Sequence, residues 1–229
     1  MNSRRDFLRA STVAITTALG GCVRGMADTL SSGIAWPPAR PRNIPDLEEV
    51  PNLSPPTWGK SDAPQVFVYN DMATREAGRV FHREWDGLTE PIEEKRIQVS
   101  FCDYPLPANE WSYPLAIAAR SVQYHAGRDA FLTFSQRVLR DYMPNPYLTK
   151  RRVLDAVETA GAPREQVKED TEWWRFHPIV ERSRRRAEER GIKNSVSRSV
   201  IVHEGERSRP LVTSSDGIPP VADEMSKSA

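Results

Sequence analysis

The sequence is poor in cysteine, and this limits the redox chemistry that the chain can perform. Cys22 and Cys102 are the only two cysteines among 229 residues, so the chain has no Cys-x-x-Cys pair. Exchange between a thiol and a disulfide needs one thiolate that attacks sulfur and a second thiol that resolves the mixed disulfide. If Cys22 is modified, Cys102 is the only thiol left, and one thiol cannot close an intramolecular disulfide.

Other absences narrow the class of function. The formal net charge is +1, which gives no global attraction to nucleic acid. The chain has no glycine-rich phosphate loop, and its four histidines are scattered without the spacing of metal ligands. Beyond the N-terminal region no stretch approaches the ~18 apolar residues of a membrane span. These patterns predict no cofactor, no metal site, no nucleic-acid partner and no second membrane segment.

The N-terminus has the features of an export signal. A charged segment, "SRRDFLR" (Ser3–Arg9), precedes a short apolar run that ends in small residues. Its paired arginines resemble the twin-arginine (Tat) signal, which exports folded proteins. "LGGC" (Leu19–Cys22) resembles a lipobox, whose cysteine receives lipid and becomes the mature N-terminus. We therefore predict a signal peptide over residues 1–21 and lipid attachment at Cys22; the alternative is a plain signal with an incidental cysteine.

Residues 22–60 are rich in proline, which disfavours helix and central strand. This composition predicts an extended linker that lifts a folded domain away from the membrane. In the alternative interpretation Trp36 and Trp58 dock the segment onto the domain. The two interpretations are compatible in part.

Residues 61–229 have the hydrophobic pattern of one α/β domain. The run "VFVY" (Val66–Tyr69) is typical of a central strand buried on both faces. A helix over about residues 74–89 and a second strand over 96–104 complete a βαβ unit. Apolar residues then recur at helical spacing through an insertion over about residues 108–190. Two more strands flank Gly205, and a short helix ends the chain. The order βαβ, helices, ββα predicts a thioredoxin fold with a helical insertion.

Several of these segments together resemble the DsbA-like branch of the thioredoxin superfamily. In that branch the second strand ends in Asp-aromatic-Pro-Leu, which Asp103–Leu106 match. An alanine-rich helix and an aromatic-rich helix follow, as residues 111–126 and 130–142 do here. The resemblance covers residues 60 to 225 approximately and implies an extracytoplasmic protein disulfide oxidoreductase.

The resemblance also locates two departures from the family. The family's catalytic Cys-x-x-Cys falls on Thr74, Arg75, Glu76 and Ala77, so both catalytic cysteines are absent. The family's cis-proline, which lies beside the disulfide, falls on Val196. The redox motif is thus lost at two separate positions of the chain.

Threonine at the first cysteine position suits the start of a helix. Thr74 is a good N-cap residue, and Glu76 in the first turn interacts favourably with the helix dipole. A threonine nucleophile would need an activating base, and none adjoins Thr74 in sequence. We interpret residues 74–77 as a structural replacement of the redox motif.

Two further features have alternative interpretations. A lone cysteine such as Cys102 is usually a small buried hydrophobe, and the alternative is a reactive thiol. "ERSRRRAEER" (Glu181–Arg190) predicts a solvated helix face with a Glu181–Arg185 pair at i,i+4. The alternative is a patch for lipid phosphates or an acidic partner.

Two hypotheses for the function follow. In the first, the protein is a membrane-anchored extracytoplasmic thioredoxin-like module that is redox-inactive and binds a protein or peptide around Thr74 and Val196. In the second, it is a thiol–disulfide oxidoreductase that uses Cys102 with an external thiol. Burial of Cys102 would count against the second.

Overall fold

The computed structural model describes residues 35–74, 85, 87–107, 109–142, 148–190, 192, 200–204 and 210–212. A five-stranded sheet lies at its centre, in the order β1-β3-β2-β4-β5. Its strands are β1 (Thr57–Gly59), β2 (Gln65–Asn70), β3 (Gln98–Asp103), β4 (Val200–Glu204) and β5 (Pro210–Val212). Strands β2 and β3 are parallel, and the other neighbours are antiparallel.

The central strand β2 is buried on both faces, as its continuous apolar run predicts. Val66 and Val68 belong to one hydrophobic cluster, whereas Phe67 and Tyr69 belong to another. Successive side chains of a strand point to opposite faces, so the two clusters lie on the two faces of the sheet. The parallel pairing with β3 requires a crossover, and the helical residues 87–93 are part of it.

In the described part of the chain, five α-helices with defined bounds follow β3 and pack around the sheet. They are α1 (Ser112–Ala126), α2 (Arg128–Arg137), α3 (Lys150–Thr159), α4 (Arg164–Glu172) and α5 (His177–Glu189), with a π-helical turn at Val138–Tyr142 after α2. Helix α1 is the most deeply buried: Ala118 and Val122 pack with the sheet cluster, and Ile117 packs with a cluster that includes α5. Small alanines let α1 approach elements on both sides, and the helical insertion is built around it.

The ends of the helices follow local sequence signals. Thr149 caps α3, because its hydroxyl accepts a hydrogen bond from the Arg152 N–H at 3.3 Å. Gly161 has φ of 73° just beyond α3, a left-handed conformation that glycine adopts without a steric penalty. Pro178 lies in the first turn of α5. The N–H groups of the first turn have no acceptor within the helix, so the N–H that proline lacks costs no helical hydrogen bond.

Residues 35–59 lie against the domain, although the sequence assigns them to the linker. The Trp36 indole donates to Glu172 at 2.8 Å, and Val50 is buried. The Trp58 ring meets Phe101 edge-on at 5.5 Å. The alternative interpretation, in which the tryptophans dock the segment, therefore accounts for these residues. The prolines favour extended backbone, and this extended backbone packs on the domain. No helix of the described residues is long and apolar enough to cross a membrane.

Strand β1 joins this segment to the sheet, and it depends on a glycine. Gly59 pairs with Gln98 in the register of β1 and β3 and has φ of 101°. A Cβ atom at Gly59 would lie 2.2 Å from the carbonyl oxygen of Ile97. Only a residue without a Cβ allows this approach, so the end of β1 requires glycine.

Candidate functional site

The loop after β2 is held by one buried carboxylate. The Asp71 side chain, 6% exposed, accepts hydrogen bonds from the Ala73 N–H at 2.9 Å, the Leu106 N–H at 2.9 Å and the Ser112 hydroxyl at 2.7 Å. These donors come from the loop itself, from the chain after β3 and from the start of α1. Burial raises the pKa of the Asp71 carboxyl, and the hydrogen bonds it accepts from Leu106, Ser112 and Ala73 act in the opposite direction.

A second side chain completes this attachment. The Asn109 amide donates to the Ala73 carbonyl at 2.8 Å and accepts from the Trp111 N–H at 2.9 Å. The loop is therefore bonded to the start of α1 at two places. The sheet and the start of α1 thus fix the position of the loop without a disulfide.

Thr74, at the first cysteine position of the resemblance, has its hydroxyl engaged with the loop. Its N–H and its Oγ1 both donate to the Asp71 carbonyl, each at 3.1 Å. A peptide carbonyl is not a general base, so this contact does not activate the hydroxyl as a nucleophile. The predicted capping bond would join Thr74 to an N–H of the following turn, which lies outside the described residues. The capping role stays a prediction.

The other residues of the predicted site also lie outside the part of the chain that the structure describes. They are Cys22, Arg75, Glu76, Ala77 and Val196. Lipid attachment at Cys22 and the groove that the other four were predicted to form with Thr74 both stay predictions.

Cys102, the other candidate, is a buried residue of β3. Its side chain is 6% exposed and packs with Phe67, Tyr69 and Tyr104. Burial raises the pKa of the Cys102 thiol to about 12. This is the environment of an inert structural cysteine, as the simpler interpretation predicts.

The structure brings together a serine, a histidine and an aspartate that are distant in sequence. Asp170 accepts from the Ser121 hydroxyl at 2.6 Å and contacts the His125 Nε2 at 2.9 Å. A nucleophilic triad needs the serine to be bonded to the histidine. Here both side chains bond to the carboxylate instead, and Ser121 is completely buried. The group attaches α1 to α4 and is a structural network.

The charged helix α5 differs from its predicted pairing. The expected Glu181–Arg185 pair is absent from this described helix, because Glu181 bonds to the Tyr113 hydroxyl and lies 3.8 Å from the His177 ring. Arg184 pairs with Glu188 at 3.2 Å. The i,i+4 rule cannot foresee a partner such as Tyr113, which α1 supplies.

No family model matches the sequence, and no curated protein matches it. Solved structures do match. The thiol–disulfide exchange protein α-DsbA2 of Wolbachia pipientis aligns with a TM-score of 0.60 and 14% identity over 78% of this chain and 89% of its own. Oxidised BdbD of Bacillus subtilis aligns with a TM-score of 0.60 and 18% identity, over 76% and 90%. A thioredoxin-like oxidoreductase from Silicibacter pomeroyi aligns with a TM-score of 0.58 and 18% identity, over 76% and 94%.

These alignments establish the fold. The chain has an α/β thioredoxin fold with a helical insertion of the DsbA-like type, as predicted from its sequence. A shared fold at this level of identity does not establish a shared chemistry. Sequence reasoning missed Asp71 as the residue that holds the loop; an aspartate directly after a buried strand and before a turn was the available signal.

Proposed function

We propose that the protein is an extracytoplasmic, lipid-anchored binding module that uses a thioredoxin fold without thiol–disulfide exchange. The observation that carries the proposal is the burial of Cys102, the only thiol left if Cys22 is lipidated. Burial raises the pKa of the Cys102 thiol to about 12, so the thiol is protonated at pH 7. Exchange needs a thiolate that reaches the sulfur of its substrate, and Cys102 provides neither the charge nor the access.

The attachment of the loop supports the binding part of the proposal. Asp71 and Asn109 hold the described part of the loop, up to Ala73, without a disulfide, so the backbone that leads into Thr74 is defined. A preorganised surface loses little conformational entropy when it binds a partner. We propose an extracytoplasmic protein or an extended peptide as the partner, with the membrane contacted through lipid on Cys22.

A disulfide oxidoreductase assay tests the redox part. We expect the full chain and its Cys102→Ser variant to oxidise a dithiol peptide and to reduce insulin at the same background rate. The Cys22→Ser variant is the matched control, because it removes the other cysteine and leaves Cys102 in place. Activity in the wild type and in Cys22→Ser that disappears in Cys102→Ser would overturn the proposal and favour an oxidoreductase that works through Cys102, the activity the resemblance implies.

The anchor is tested separately from the chemistry. We expect metabolic labelling with palmitate to modify the wild type and Cys102→Ser, and to leave Cys22→Ser unlabelled. Replacing Arg4 and Arg5 with lysine should retain the unprocessed chain in the cytoplasm, because the twin-arginine route requires both arginines. Labelling of Cys22→Ser, or normal export of the lysine variant, would contradict the proposed anchor or route respectively.

The binding surface is tested by photo-crosslinking in the native membrane. We expect a photoreactive residue at Thr74 to capture a discrete protein or peptide. The control position is Tyr124, 42% exposed on α1. Identical products from both positions, or none from Thr74, would contradict a partner at this loop.

A further inference from the structure

A cavity lies on the face of the sheet that α5 covers. Its volume is about 130 Å³, and Tyr69 of β2 and Cys102 of β3 line one side of it. Leu53 and Pro55, from the docked segment before β1, also line it. Neither Val66 nor Val68, which belong to the cluster on the opposite face, lines it. None of the described loop residues 71–74 lines it, so the cavity is separate from the loop that contains Thr74. Cys102, whose burial carries the proposed function, belongs to its wall, so the two proposals share that residue.

Helix α5 presents a row of arginines to this cavity. Arg182, Arg186 and Arg190 all line it, at intervals of four residues. Side chains four residues apart lie on the same face of a helix, so the row is a consequence of the spacing. Arg184 is on a different face, where it pairs with Glu188.

Two members of the row, Arg182 and Arg186, have no carboxylate partner among the described residues: no carboxylate of that part of the chain lies within ion-pair distance of either. Arg182 donates to the Leu53 carbonyl at 3.3 Å, a neutral partner. Burial, followed by the nearby charges of Arg186 and Arg120, lowers the pKa of Arg182. Arg182 is half-buried and Arg186 is exposed. An anion between the two guanidinium groups would reduce their mutual repulsion.

The other two arginines of the cavity are engaged with the protein. Arg120 forms a buried ion pair with Asp103, with 2.6 Å between Nε and Oδ2, and also donates to the Phe101 carbonyl. Arg190 donates to the Tyr69 hydroxyl and lies over the Phe67 ring, 4.4 Å from its centroid. Arg120 and Arg190 thus shape the wall, and Arg182 and Arg186 provide charge.

A buried hydroxyl in the same wall has no partner. Ser183 is 8% exposed, lines the cavity, and its Oγ makes no hydrogen bond with any described residue. A buried polar group without a partner destabilises a fold, and native proteins contain few of them. Because the Oγ atom is itself inaccessible to water, Ser183 is part of the wall and is not counted as a donor to a ligand in the cavity.

We propose that the cavity is a binding site for a phosphate group. Arg182 and Arg186, which both line the cavity, supply positive charge and N–H donors. Arginine forks match the oxygens of phosphate in geometry, and a phosphate needs donors from several directions. A cavity of about 130 Å³ holds one such ion with a few water molecules. The source is either free phosphate or the headgroup of a phospholipid.

Titration calorimetry with inorganic phosphate, on the full chain in detergent and at constant ionic strength, tests the site. We expect saturable one-to-one binding that Arg186→Ala weakens at least tenfold. Arg185→Ala is the matched control: Arg185 is exposed on the same helix, does not line the cavity, and should change affinity less than twofold. Absence of saturable binding, or an equal loss in Arg185→Ala, would overturn the proposal.

A second variant separates a ligand role from a structural one. We expect Arg182→Ala to weaken phosphate binding as Arg186→Ala does and to leave the melting temperature without phosphate close to that of the wild type, because Arg182 donates to a single neutral carbonyl. Unchanged phosphate affinity in Arg182→Ala would contradict the site. A parallel titration with glycerol 3-phosphate distinguishes the sources: binding that also depends on Arg186 favours a lipid headgroup, and binding of inorganic phosphate alone favours the free ion.

Discussion

The loop after β2 and the cavity beneath α5 differ in how their polar groups are satisfied. At the loop the Asp71 carboxylate has three protein donors, and the hydroxyl of Thr74 donates to a carbonyl. In the cavity the Ser183 hydroxyl has no partner among the described residues, and Arg182 and Arg186 have no carboxylate among them. A site whose polar groups bond to one another serves the fold. A cavity lined by arginines that have no carboxylate partner is suited to an anion.

Replacing Asp71 should have the largest effect of the variants considered. Asp71→Ala leaves two backbone N–H groups and the Ser112 hydroxyl without their acceptor. We expect a loss of about 3 kcal/mol or more in the free energy of unfolding, measured by urea denaturation. Asp62→Ala is the control, because Asp62 is an exposed aspartate paired only with Lys60. We expect the free energy of unfolding of this variant to equal that of the wild type. A loss within error for Asp71→Ala would mean that the loop is not held as described.

The next variant tests the segment that supplies Leu53 and Pro55 to the cavity. Gly59→Ala places a Cβ 2.2 Å from the Ile97 carbonyl at a φ of 101°. We expect a loss of about 2 kcal/mol in unfolding free energy and weaker phosphate binding, because β1 would leave the edge of β3.

A matched glycine shows whether that loss is specific. Gly87 is exposed and helical, and a Cβ there would meet nothing within 4 Å. We expect Gly87→Ala to be neutral or to stabilise by up to about 1 kcal/mol. Equal stabilities of the two variants would contradict the pairing of β1 with β3.

The buried thiol predicts a pH dependence of moderate size. The folded pKa of Cys102, about 12, is above its ordinary value of 9.0, so the folded state keeps the proton longer than the unfolded state. The stabilisation is complete below pH 9 and is lost as the pH rises toward 12. Between pH 8 and 10.5 we expect the wild type to lose about 1–2 kcal/mol more than Cys102→Ala, measured by urea denaturation. If the free energy of unfolding changed with pH to the same extent in the wild type and in Cys102→Ala, the burial of the thiol would be contradicted.

The smallest expected effect concerns stability at the cavity. Ser183→Ala removes a buried hydroxyl that has no described partner, so we expect its unfolding free energy without phosphate to equal that of the wild type or to rise slightly. Thermal melts of the two proteins measure the difference. A clear loss would show that the hydroxyl contributes to the fold and would remove the contrast between the two regions.

The sequence predicts the fold well because the signals for it are local. The Val66–Tyr69 run and the helical spacing of Leu115, Ala118 and Val122 each indicate one element and the face that it buries. All of these residues except Phe67, at 9% exposure, are almost inaccessible in the structure. Burial patterns of this kind depend on neighbours in the chain, so they can be seen before the fold is known.

The two sites could not be predicted in the same way, because their partners are distant in sequence. The Asp71 network needs donors from Leu106 and Ser112, which only the parallel pairing of β2 and β3 brings close. The spacing of Arg182, Arg186 and Arg190 is visible in the sequence. That they share a cavity with Tyr69 and Cys102 is not, since it depends on how α5 packs on the sheet. Proline-rich composition likewise favours extended backbone without indicating whether that backbone docks.

The central claim is that this thioredoxin fold contains no reactive thiol, and the labelling rate of Cys102 tests it most directly. In a Cys22→Ser variant Cys102 is the only thiol, and its reaction with an excess of a thiol reagent at pH 7 can be followed over time. We predict labelling at the rate of unfolding, with acceleration by urea, because the native thiol is buried and protonated. Labelling of the native protein within seconds, at a rate proportional to reagent concentration and insensitive to urea, would contradict the account.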